Sequence, residues 1–195
     1  MSNVPSTPEM RLKRVRMMAD YQFGKGAGAA LFDDRSTFLL SKTKRIRQVL
    51  SDGKRIATVR AKDGFFTLSM EGAARLHQYL KAPAMRVVVE DDAALFVAKG
   101  KTAFSKHVIS IDPEIRAKEE VLVTDKNDRL LATGQLVLSP REILYSQTGP
   151  AVIVRCGAEK KEEKEEEEEK GEEKEEEKEE DATEERDDEK KEEWG

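Results

Sequence analysis

The side chains able to do chemistry are few, and their spacing argues against catalysis. Asp33-Asp34 and Asp91-Asp92 are adjacent carboxylates, but each pair sits where a turn or a helix start calls for a cap. His77 and His107 stand apart, and His77 falls on the polar side of a predicted helix, as a surface histidine would. No Ser/His/Asp ordering and no Cys/His cluster with ligand spacing is present, so neither a nucleophile, a metal nor a cofactor is expected. The single cysteine, Cys156, ends a predicted strand and reads as a packed thiol in a reducing compartment. Gly24-Lys-Gly-Ala-Gly28 precedes a short apolar helix, and free N–H groups at such a turn can cradle phosphate. It lacks the spacing of a Walker loop or a dinucleotide fingerprint. A tight helix–turn–helix is expected there instead, with Lys25 open to a nucleic-acid backbone.

Charge is the more informative signal once it is divided by segment. The 195 residues sum to −5, but residues 158–195 hold 23 acidic and 9 basic side chains, so residues 1–157 carry +9. A basic body favours polyanions, because each phosphate neutralised by Lys or Arg releases condensed counterions. Residues 158–195 have no apolar stripe and are expected to be disordered, competing with a polyanionic ligand for the basic body. No apolar run approaches the roughly 20 residues that span a bilayer, and the N-terminus lacks the apolar centre of a secretory signal. A cytoplasmic protein with no membrane partner is expected.

The elements that position these charges can be read in order. Residues 1–8 are a predicted leader, followed by a helix from Pro8 to about residue 22 with Thr7 as its cap. Arg11, Lys13, Arg14 and Arg16 crowd that helix, as on a solvated face or one that tracks phosphates. Two Asp-Gly turns, at Asp52-Gly53 and Asp63-Gly64, bracket short β-type runs and predict a three-stranded antiparallel meander. Lys42, Lys44, Arg45 and Arg47 lie beside it. A helix over residues 70–80, capped by Ser69, completes an α/β unit over residues 9–82. From residue 83 to 157, short strands alternate with turns at the spacing of a closed barrel. Gly100 supplies a left-handed helix cap, Gly134 suits a bend or bulge, and Ser139-Pro140 opens a short helix. The predicted class is α+β, with a small α/β unit, a pseudo-barrel and an acidic tail.

The second half resembles a PUA domain, an RNA-binding module. The likeness runs through Val87-Val-Val with Asp91-Asp-Ala-Ala, Phe96-Val-Ala-Lys-Gly100-Lys, Ile111-Asp-Pro-Glu-Ile, Glu120-Val-Leu-Val-Thr-Asp125 and Gly149-Pro-Ala-Val-Ile-Val-Arg155. Lys118-Glu119 departs from the glycine usual before the Glu-Val strand. The first half resembles the segment preceding the PUA domain in archaeal tRNA-guanine transglycosylases, through Ala19-Asp-Tyr-Gln-Phe-Gly-Lys-Gly-Ala-Gly28, Ser41-Lys-Thr-Lys-Arg-Ile-Arg47 and Asp63-Gly-Phe-Phe-Thr-Leu-Ser69. The resemblance implies an RNA-docking part without the enzyme's catalytic aspartates or zinc site. It also implies contacts from Lys99, Gly100, Lys101, Thr102 and Phe104, with Lys106 and Arg155 nearby; Lys25, Lys42, Lys44, Arg45 and Arg47 either extend that track on the first unit or are solvated surface charge. Phe104 is either a core residue or a ring that stacks a base. The implied ligand is tRNA at its acceptor stem and 3′ end. The implied role is a free-standing binder or the noncatalytic subunit of a split transglycosylase; a translation-associated RNA-binding factor is the alternative.

Overall fold

The structure is a computed structural model that describes residues 7–146 and 148–159. The expectations for residues 1–6 and for the acidic segment past Glu159 lie outside the described residues.

Helix α1 runs Pro8–Phe23. Thr7 caps it, its hydroxyl accepting the Met10 N–H at 3.3 Å, and Pro8 takes the first turn, where a missing N–H costs nothing. Its apolar side buries Val15, Ala19 and Phe23. After the glycine turn comes α2, Ala27–Leu31. Gly28 lies where the two helices touch: a Cβ there would stand 2.2 Å from the Arg16 carbonyl oxygen.

Strands β1 (Thr37–Leu40), β2 (Ile46–Ser51), β3 (Lys54–Val59) and β4 (Phe66–Leu68) form an antiparallel meander in chain order. That is one strand more than expected, because Thr37–Leu40 pairs with β2, Thr37 opposite Leu50. Asp52 and Gly53 both take positive φ, 49° and 76°, the twist that a two-residue hairpin turn requires. Helix α3, Met70–Tyr79, starts at Ser69, whose hydroxyl accepts the Gly72 N–H, and packs on α2 and β3. Phe32, Ile56, Phe66 and Leu76 fill the core beneath, with the Phe32 and Phe66 rings 5.3 Å apart.

Six further strands follow: β5 (Arg86–Val89), β6 (Ala103–Phe104), β7 (Val108–Ile111), β8 (Glu120–Thr124), β9 (Leu130–Leu136) and β10 (Pro150–Gly157). Their spatial order is β6-β10-β9-β8-β5-β7. All neighbours are antiparallel except β5 and β8. The two edge strands are consecutive in the chain and joined only by the 3-10 turn Ser105–His107. The sheet must therefore curl until its edges nearly meet, which makes the pseudo-barrel. Helix α4, Asp91–Ala98, packs on β9 and β10. It begins before the expected cap: Glu90 is its N-cap, and Asp91 and Asp92 sit in the first turn, where carboxylates complement the helix dipole. Helix α5, Pro140–Tyr145, opens with a reciprocal Ser139–Glu142 capping box. A Cβ at Gly134 would lie 2.4 Å from the Ile153 carbonyl oxygen, beside a register shift in β10, so the glycine serves a bulge.

The two halves share apolar contacts. Leu122 of β8 is buried in the first unit's core, and Met85 and Leu130 pack against it. Arg86, 3% exposed, fastens the same junction. Its Nε donates to Asp128 Oδ1 at 2.6 Å, and Nη1 to the Ala84 carbonyl at 2.9 Å. Nη2 donates to the carbonyls of His77 and Leu80 at the end of α3, at 3.1 and 2.9 Å. A cation at a helix C-terminus also complements the dipole. Burial alone would raise the Asp128 carboxyl, but the Arg86 hydrogen bond and the neighbouring His77 hold it below the ordinary range. His77 is thus no surface residue: its side chain is mostly buried, with Nε2 3.1 Å from Asp128.

Arg86→Ala should lower stability by about 3 kcal/mol, because three carbonyls and a carboxylate lose their donors together. Asp128→Ala should cost less, since that carboxylate is partly exposed. Urea unfolding followed by circular dichroism measures both; a wild-type midpoint for Arg86→Ala would show that the clamp contributes nothing.

Candidate nucleic-acid interface

Near the start of β2, Arg47 is the extra residue of a bulge against β1, and both it and Ile46 beside it line a groove shared with α1. The sheet's inner face is apolar at its centre and becomes cationic toward the β1–β2 hairpin. There Lys44, Arg45 and Arg47 meet Arg11 and Arg14 from α1 and Arg60 from the end of β3. Together they line a groove of about 750 Å³ whose floor is Met18, Ile46 and Val59, with no carboxylate in its lining. The side chains of Arg14, Lys44, Arg45 and Arg47 make no ion pair among the described residues. Like charges held this close repel one another, so the groove favours a polyanion. Arg11 and Arg14 complete it although they lie some thirty residues away in sequence; the crowding of arginines on α1 was the signal available for them. Arg16, from the same run, is a structural residue, donating to the Phe32 carbonyl at 2.8 Å and pairing with Asp34. Lys42 is exposed on the hairpin but does not line the groove.

Lys25 lies elsewhere, at the α1–α2 turn, where its carbonyl accepts the Tyr79 hydroxyl. The turn is filled from within: the Gly28 N–H donates to the Asp20 carboxylate at 2.7 Å. Asp33 and Asp34 are turn residues, as expected. Asp33 accepts from Ser51 at 2.7 Å and from the Arg35 N–H, and the Ser51 bond is the largest of the influences that keep its carboxyl low.

On the barrel, Lys99, Gly100, Lys101, Thr102, Phe104 and Lys106 fall on one continuous segment from the end of α4 along edge strand β6. Gly100 takes φ +82°; its N–H donates to Val97 and that of Lys101 to Phe96, which closes the helix in a Schellman motif. The last strand runs tight against this turn, since a Cβ at Gly157 would stand 2.6 Å from the Gly100 nitrogen. Phe104 is 46% exposed, so its ring lies outside the core. Lys101 and Lys106 are exposed as well. His107 is half-buried, with Nδ1 3.5 Å from Asp92.

Arg155 on β10 faces a partner that the sequence hides. Glu120, 3% exposed, is buried where the barrel meets β4. Its Oε1 accepts the Leu68 N–H at 3.3 Å and the Thr133 hydroxyl at 3.4 Å. Its Oε2 lies 3.3 Å from Arg155 Nε without the alignment of a hydrogen bond. Burial pushes the Glu120 carboxyl up to about 7, and Arg155, Leu68 and Thr133 oppose this only in part.

The pattern of the PUA domain matches residues 85–157. That of the patch-forming domain C2 of tRNA-guanine transglycosylase matches residues 13–83. The chain corresponds to the C-terminal C2–PUA region of archaeal tRNA-guanine(15) transglycosylases. The one from Pyrococcus furiosus is 49% identical over 156 residues, 80% of this chain and 26% of that protein. The one from Thermoplasma acidophilum is 46% identical over 152 residues, 77% of this chain and 24% of that protein. The chain thus spans about a quarter of the length of the curated relatives it matches. In fold it is similar to a hypothetical protein of Pyrococcus horikoshii, with a TM-score of 0.61 at 17% identity over 78% of this chain and 92% of that one. No helix of the described residues is long and apolar enough to cross a membrane.

The raised Glu120 carboxyl sets a pH dependence. Native Glu120 keeps its proton between about 4.5 and 7, where an unfolded glutamate has lost it, so the stabilisation present below that window is lost as pH rises through it. A shift of this size corresponds to about 3 kcal/mol. Glu120→Gln should remove this component from urea midpoints measured at pH 4.5, 6 and 8; an unchanged slope would sink the assignment.

Proposed function

We propose that this chain binds RNA, with tRNA as its ligand, acting as a free-standing binder or as the noncatalytic subunit of a transglycosylase-type tRNA-modifying enzyme. The observation that carries the reading is the groove on the first unit, where six cationic side chains converge and four of them, Arg14, Lys44, Arg45 and Arg47, make no ion pair among the described residues. Such a surface neutralises phosphates, and phosphate contacts set the position and orientation of a nucleic acid. The glycine turn at Gly100 complements it on the barrel. Without a Cβ at that point a sugar-phosphate backbone can approach closely, with Lys101 and Lys106 exposed beside it and Phe104 offering a ring face. The choice of tRNA rests on the relatives, whose names specify that substrate. The acceptor stem and 3′ end are proposed for the barrel, and the adjoining helical backbone for the groove.

Binding to deacylated tRNA, with and without its 3′-terminal nucleotides and across a salt series, tests this. Loss of the 3′ end should weaken binding about ten-fold, the scale of one lost base-stacking contact. Arg47→Glu should weaken binding to both forms alike and flatten the salt slope, as removal of a phosphate contact does. Equal affinity for tRNA and unrelated RNAs of the same length would refute the tRNA reading. Copurification with a catalytic transglycosylase chain separates the subunit from the free-standing protein.

A further inference from the structure

Beside the basic groove stands an aromatic pair that belongs to neither core cluster. Tyr21 is 82% exposed and Phe65 37% exposed. Their rings are nearly parallel, 11° apart, with centroids 6.3 Å from each other. The Arg60 guanidinium lies over the Phe65 ring at 5.5 Å and is held in place by Asp63 at 3.1 Å. Arg60 is also a wall of the groove, as is Gly64, which precedes Phe65 in the chain. On the helix side, Arg14, Met18 and Tyr21 share one face of α1, so the face that lines the groove with Arg14 and Met18 continues into the Tyr21 ring. The stack Arg60–Phe65–Tyr21 thus adjoins the cationic groove through Arg60 and Gly64, with the Tyr21 ring open to solvent.

We propose that this ring pair is a stacking platform for one unpaired nucleobase that leads into the backbone held by the adjoining groove. The inference rests on the RNA reading above and sharpens it, since a double helix keeps its bases stacked on one another and offers no free face to Tyr21. Aromatic rings beside a positive groove hold single strands in this way, because every base has a π-face. Arg60 and Asp63 orient Phe65 in advance, so little side-chain freedom is lost when a base docks. The cations around the rings favour a nucleic-acid strand over an apolar protein surface.

The test uses the full chain and a short single-stranded RNA carrying one 2-aminopurine, compared with the same strand in a duplex. Stacking on Tyr21 should quench the 2-aminopurine. Tyr21→Ala should abolish the quench and weaken single-strand binding about ten-fold, with duplex binding unchanged, while Tyr21→Trp retains both. Tyr21 is too exposed for its loss to disturb the core. Arg47→Glu serves as the control and should weaken both forms. If Tyr21→Ala binds the single strand as wild type while Arg47→Glu does not, the platform is overturned and the RNA reading stands. If the wild-type chain binds neither form, both fall. If Tyr21→Ala leaves RNA binding intact but abolishes self-association in sedimentation, the rings are a protein contact and the proposal is wrong.

Discussion

The buried guanidinium of Arg86 joins the two halves of this protein. An arginine with so little solvent exposure is tolerable only because its donors are spread over a carboxylate and three carbonyls. Two of those carbonyls end α3 and would otherwise be orphaned at a junction with little room for water. The same side chain opens β5, the strand that sets both the parallel pairing with β8 and the antiparallel pairing with β7. The orientation of the barrel on the α/β unit, and with it the spacing between groove and glycine turn, follows from this anchor and from Leu122 beside it.

The positive charge of the body sorts into two populations. Arg16, Arg75 and Arg86 look inward and satisfy backbone carbonyls at helix ends and turns. Arg14, Lys44, Arg45 and Arg47 lack such partners among the described residues and gather in one groove. Composition counts both populations alike, although only the second is left without a protein partner among the described residues. Arg155 belongs between them, half-exposed yet aimed at the buried Glu120.

Local signals were read well because their causes are local. The Thr7 cap, the Asp-Gly hairpin, the capping box at Ser139 and the left-handed Gly100 each need only a few neighbouring residues. The PUA-like order of motifs carried the barrel for the same reason. Long-range consequences were not legible. That Thr37–Leu40 joins the sheet depends on its pairing with β2, and that His77 is covered depends on Asp128, some fifty residues on. The burial of Glu120 is hidden because a glutamate opening a strand reads as a polar edge. The cationic runs were visible, but their convergence depends on α1 crossing the open end of the sheet.

The shared core has a further consequence for how such a chain can be inherited. Leu122 belongs to the barrel in sequence and to the α/β unit in packing, and Glu120 is kept from water by both. A recombination event at the turn around Pro83 would separate these residues from their shelter, leaving a bare apolar face and a solvated carboxylate. The pair is therefore expected to move between genes as one block, and a PUA barrel of this kind can be exchanged alone only after that face has been rewritten.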